Sequence, residues 1–179
     1  MKRYMIVFVI CITSAFSFNS SLLNFDSKEV IQADSILFPE IKHREQTKLI
    51  NQLLTRYHYK KISFDDSLSV KILNNYIKSL DPNREYFYDA DIKYFDQYKY
   101  EIDNYIKNGY LEPIYEIFTV YNERVRDRID YVFDLLSKEP DFTIDEEFLY
   151  DRKDGEWFST EVALNDHWRK KIKYSMLNM

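Results

Sequence analysis

Between Ile114 and Leu136 the apolar residues fall at steps of three and four: Ile114, Ile117, Phe118, Tyr121, Val125, Ile129, Val132, Phe133 and Leu136. That is the period of one face of an α-helix, kept up for too long to be a strand. Pro113 stands in the first turn, where a missing N–H costs nothing. About 25 residues at 1.5 Å each make a rod roughly 37 Å long. A chain that contains such a rod must pack other elements along it. Two glycines and four prolines among 179 residues point the same way. They are poor material for a many-turned β-sandwich or a glycine-rich phosphate loop, and good material for long helices. Sixteen tyrosines and thirteen phenylalanines favour strands mildly by propensity, but the helical period outweighs them. The opposite face of the rod carries Glu123, Arg124, Arg126, Asp127, Arg128 and Asp130. It reads as a solvated face, with i,i+3 pairs such as Glu123 with Arg126 offsetting repelling i,i+4 pairs.

Four more helices are expected around it. The first runs from His43 to Tyr57, with Leu49, Ile50, Leu53 and Leu54 as its buried stripe. The second runs from Asp65 to Leu80 and buries Leu68, Ile72, Leu73, Tyr76, Ile77 and Leu80; Ser63 with Asp66 resembles its capping box. Asp81-Pro82 stops it, because the residue before a proline is pushed out of the helical region. A third runs from Ala90 to Lys107, with Asp89 as N-cap and Asn108-Gly109 as the left-handed C-cap. After Pro140 comes an irregular, acidic connection. Thr160 then caps a last helix with Leu164, Trp168, Ile172 and Met176 at steps of four. That helix reaches Met179 with its stripe still running, so it reads as cut rather than finished. The fold class is all-α: a bundle of about five helices with an irregular acidic connection before the last. Residues 1–17 are read as a signal peptide, 18–42 as a linker with a short helical turn near Ser27 to Gln32, and 43–179 as the helical domain.

The leader has Lys2 and Arg3, then the apolar run Met5 to Ile12, then the small-x-small pattern Ala15-Phe16-Ser17. The run is shorter than the ~20 residues a membrane span needs. Cys11 lies inside it, behind Phe8, Val9 and Ile10, so it is ordinary leader content and the mature chain would carry no cysteine. The formal net charge is −5, and without the leader 23 basic face 30 acidic side chains. Such a surface repels phosphate backbones, so no nucleic-acid partner is expected.

Candidate chemistry is sparse. Ser63, Ser67, Ser69, Ser79 and Ser159 lie at caps or on helices, with no glycine beside them to shape a nucleophile turn. His43 and His58 are about 22 Å apart along one predicted helix, too far to share an ion. His167 lies on another element, and all three read as surface or capping histidines. Asp65-Asp66 suits a helix N-terminus. Asp145-Glu146-Glu147 lacks the spacing of a calcium loop. No catalytic, cofactor-binding or metal-binding residue is therefore assigned, and no cofactor. The aromatics near the central turn (Tyr57, Tyr59, Tyr86, Phe87, Tyr88, Tyr94, Phe95, Tyr98, Tyr100) belong mostly to the core, with a share on a docking surface.

The central stretch, with Tyr57-His58-Tyr59, Asp65-Asp66-Ser67, Tyr76-Ile77-Lys78-Ser79-Leu80-Asp81-Pro82, Tyr86-Phe87 and Asp91-Ile92, resembles the amino-terminal domain of tail-specific (carboxy-terminal processing) proteases. The likeness continues through Ile106-Lys107-Asn108-Gly109, Phe118, Arg124-Val125, Asp141-Phe142-Thr143, Asp151-Arg152, Trp157 and Leu164-Asn165-Asp166-His167-Trp168-Arg169-Lys170. It covers roughly Phe38 to Met179, and its most specific parts are D-P-N-R-E-Y-F and L-x-x-x-W-R-K. The resemblance implies a periplasmic serine peptidase of the Ser–Lys type that cleaves proteins with exposed apolar C-termini, with or without an adaptor protein. It also implies a PDZ module and a catalytic domain beyond the helical domain. This chain reads as ending before both, so no catalytic serine or lysine is carried over and it is expected to be inactive alone. The alternative is a stand-alone helical binding protein of the cell envelope.

Overall fold

The computed structural model of the chain describes residues 37–59 and 63–179. The leader, most of the linker and the turn near Ser27 to Gln32 lie outside the described residues. Among the described residues six α-helices follow in order: α1 Ile41–Tyr57, α2 Asp66–Leu80, α3 Asp89–Phe95, α4 Ile102–Asn108, α5 Glu112–Leu136 and α6 Glu161–Leu177. A 3₁₀ turn, Asp96–Tyr98, joins α3 to α4. The described residues form no strand beyond an isolated bridge between Tyr88 and Phe158. The all-α class stands.

The core gathers Leu73 and Ile77 from α2, Phe87 from the loop after it, Phe95 from α3, Tyr98 from the 3₁₀ turn, Ile102 from α4 and Ile117 from α5. α6 adds the buried Leu164 and Trp168 and lies along α5. The apolar period of α2 and of the first half of α5 thus becomes burial as the spacing requires.

Four expectations change. The helix predicted over 90–107 is two helices with a 3₁₀ turn between them. A straight helix of that length would span roughly 27 Å. Ile92, Phe95, Tyr98, Ile102, Tyr105 and Ile106 all pack on one small cluster, which only a folded-back chain can reach. Ser69 fixes the second half: its hydroxyl accepts from the Asp103 N–H at 2.8 Å and donates to the Asp103 carboxylate at 2.8 Å.

Secondly, the caps shift by a residue or more. Asp65, not Ser63, caps α2, its carboxylate accepting from Leu68 N–H at 3.1 Å. Tyr88, not Asp89, is the N-cap residue of α3, and Asp91 reaches back to the Tyr88 N–H at 2.9 Å. Gly109, in contrast, ends α4 at φ 67°, the left-handed C-cap read from Asn-Gly. Thr160 caps α6 as read, accepting from Ala163 N–H at 3.3 Å.

Thirdly, α1 buries no residue, and Leu49, Ile50, Leu53 and Leu54 are all exposed. The half-buried side is polar: His43, Arg44, Thr47, Lys48 and Asn51. Arg44 pairs with Glu112, His43 Nδ1 lies 3.1 Å from the Tyr115 hydroxyl, and the Arg44 carbonyl sits against Gly109. These polar anchors orient the helix with its apolar stripe outward. Finally, the rod's charged face is only partly solvated. Arg128 is buried and donates to Asn165, Arg124 pairs with Asp91, while Ile129, Phe133 and Leu136 are exposed.

Candidate functional site

The residues with the most unusual surroundings lie in the loop Asp81–Tyr88, between α2 and α3. Asp81 is buried, and its carboxylate accepts three backbone N–H groups, from Glu85 at 2.8 Å, Tyr86 at 2.9 Å and Phe87 at 3.0 Å. Burial pushes its carboxyl group upward, and the three donors oppose that shift. Pro82 stops α2, and Arg84 takes a left-handed φ of 56°, which turns the chain so those N–H groups converge on Asp81.

Glu85 is the hub of a second set. Its carboxylate is buried, with His167 Nε2 3.0 Å from one oxygen and the Lys171 ammonium donating to the other. The Trp168 indole N–H donates to the Glu85 carbonyl at 2.8 Å. Burial alone would raise the Glu85 carboxyl, but the bonds from His167 and Lys171 outweigh it and hold it below the usual range. The rings of Phe148 and Phe158 flank His167, with centroids 5.2 and 5.3 Å away. Arg84 donates to the Gly155 carbonyl and lies over Trp157, and Asp89 N–H donates to the Phe158 carbonyl at 3.0 Å. One eight-residue loop thereby clamps α2, the acidic connection and α6 together.

A third set ties the connection to α6. Glu146 takes Arg169 and the Lys173 ammonium, the latter at 2.9 Å, and its carboxyl is driven down to about 2 by those bonds. Beside it lies a cavity of about 270 Å³ walled by Phe142, Ile144, Phe148 and Tyr174, with Lys170 and Lys173 at its edge.

The sequence-level candidates are placed as follows. Ser67 donates to Asp65, Ser69 is engaged with Asp103, and Ser79 donates to the Tyr76 carbonyl. His43 accepts from the Glu40 N–H, the capping role read for it. His167 is neither a surface nor a capping residue; it is buried because it shares the inner face of α6 with Leu164 and Trp168. Asp65 caps α2. Asp145 and Glu147 stay outside the ionic set that takes Glu146. Among the described residues no cluster of three His, Cys, Asp or Glu could hold a metal ion. Sequence reading missed Asp81, Glu85 and Lys171. The available signal was a histidine and a lysine four residues apart beside Trp168, which places two polar groups on a face that must be buried.

Residues 49–179 match the family described as tail specific protease N-terminal domain. The chain belongs to that family. Along all of its length it is 32% identical to the Tail-specific protease of Haemophilus influenzae, of which it spans 26%. The matched region contains every residue of the loop, the connection and the α6 sets. No helix among the described residues is long and apolar enough to cross a membrane.

Proposed function

We propose that this domain is the non-catalytic helical shoulder of a periplasmic, serine-type tail-specific protease, exported behind residues 1–17. In that role it scaffolds a PDZ module and a Ser–Lys catalytic domain supplied by further sequence. It also offers a surface to substrates with exposed apolar C-termini, or to an adaptor protein. The observation that carries this reading is the family match over residues 49–179, joined to a relative of which this chain spans 26%. The polar groups turned toward the domain's interior support it from the chemical side. His167, Lys171, Glu85 and Asp81 are used to hold elements to one another, a stabilising role in which no substrate is needed.

The test has two parts. Residues 18–179 incubated with an unfolded protein carrying an apolar tail should leave it intact, and the reading frame beyond the Met179 codon should encode a PDZ module and a Ser–Lys pair. Cleavage that survives replacement of every serine by alanine would overturn the proposal. A stop codon followed by unrelated sequence would favour a stand-alone helical binding protein of the envelope.

A further inference from the structure

α1 carries its apolar residues on the side away from the domain. Leu49, Ile50, Leu53, Leu54 and Tyr57 follow the helical period, form one stripe and are 36% to 77% exposed. On the other side of the helix, Arg44 and Lys48 lie against Gly109. The stripe is therefore a ridge set outward by polar anchors.

The order of residues along the ridge points to what covers it. Counted outward from the midpoint between Asn51 and Gln52, Ile50 answers Leu53, Leu49 answers Leu54 and Gln46 answers Tyr57. A ridge that reads alike in both directions fits a second copy of itself laid antiparallel. A two-fold axis through that midpoint sets Ile50 beside the second copy's Leu53 and Leu49 level with its Leu54. The axis then repeats both contacts, as an interface of one patch with itself requires. Charge selects the same register. Among the Lys and Arg side chains of α1, Lys42 pairs with Glu40, Arg44 with Glu112 and Lys48 with Glu45. Arg56 is exposed and has no acidic partner among the described residues. Glu45 lies on the same flank of the ridge as Leu49. Lys48 holds one of its oxygens, across an exposed contact, and the other has no partner among the described residues. In the antiparallel pair, Arg56 of each copy falls on that flank within about 3 Å, along the helix axis, of the other copy's Glu45. We infer that α1 is a self-docking helix, through which two copies of this chain pair antiparallel, ridge against ridge, with two Arg56–Glu45 bonds closing one flank. The ridge is about 12 Å long, short for a permanent dimer, so the pairing is reversible.

The test is sedimentation equilibrium on the full chain, so that residues before α1 contribute equally throughout. Over about 5 to 500 µM, the weight-average mass of the parent should climb from 21.9 kDa toward twice that value. One variant carries Ile50→Gln and Leu53→Gln, which keep helix propensity. A second carries Arg56→Glu, which sets two glutamates against each other on each flank contact. A third carries Glu45→Arg with Arg56→Glu, which exchanges the charges and keeps the attraction. All these positions lie outside the core, so circular dichroism should match the parent. The glutamine pair should weaken association about tenfold and Arg56→Glu alone about fivefold. The exchange should return it to within about twofold of the parent, as only a contact between these two positions can do. A parent that stays at 21.9 kDa throughout overturns the inference and leaves the ridge to a different partner. Association untouched by the glutamine pair overturns it as well, because another surface then carries the contact. So does an exchange that fails to restore what Arg56→Glu removes.

Discussion

At the scale of single residues, the domain depends on a few side chains whose neighbours leave them no substitute. Leu73 is 2% exposed in the centre of the core. Leu73→Asp would bury an unpaired charge at a cost of several kcal/mol, comparable with the whole stability of ~5–15 kcal/mol. The expected outcome is loss of the cooperative thermal transition; a melt near the parent's would contradict the packing. Asp81→Ala would strip three backbone N–H groups, two of them buried, of their acceptor and should cost about 3 kcal/mol in urea denaturation. Gly109 is held by two constraints. Its φ is 67°, and an added Cβ would lie 2.8 Å from the Arg44 carbonyl oxygen. Gly109→Ala should therefore lose about 2 kcal/mol and loosen α1 from α4. Gly109 and Leu73 were legible in sequence because one is a turn residue after a periodic helix and the other sits in the middle of an apolar stripe. Glu85 was not, since its partners His167 and Lys171 come from a helix 82 and 86 residues further on, and no local pattern encodes that meeting.

Elements behave as their attachments dictate. The acidic connection is held to α6 through Glu146, whose carboxyl sits at about 2 instead of 4.5 because Arg169 and Lys173 bond to it. A depressed folded value means this attachment is complete above pH 4.5 and is lost as pH falls toward 2. An NMR titration of the Glu146 side chain should find that low midpoint, and Arg169→Gln with Lys173→Met should return it toward 4.5. α1 is the opposite case. With no buried residue, it opens at little cost. Its amides should exchange with solvent much faster than those of α2 or of the first half of α5, as hydrogen-exchange mass spectrometry can read. Helix positions and the all-α class were plain from the three-four period, as α2 and α5 show. Which face turns inward was not plain for α1 or for the end of α5. There ion pairs and hydrogen bonds (Arg44 with Glu112, Arg128 with Asn165) decide orientation, and hydrophobic spacing alone gives no view of them. The same limit explains the break in the predicted helix over 90–107. Its apolar spacing is continuous, and only the small size of the shared core forces the chain back on itself.

For the molecule as a whole, the family match and the helical core describe one unit, the tail specific protease N-terminal domain. The clamp at Asp81–Tyr88 makes that unit depend on its last helix. Glu85 loses its water in the finished domain, yet the two cationic or hydrogen-bonding groups that compensate it belong to α6. Along the chain, the turn comes 82 and 86 residues before its counterweights. Without α6 the Glu85 carboxylate would lack both compensating groups, and burying it unpaired would be costly. Docking of the last helix is therefore what lets the earlier turn shed its water.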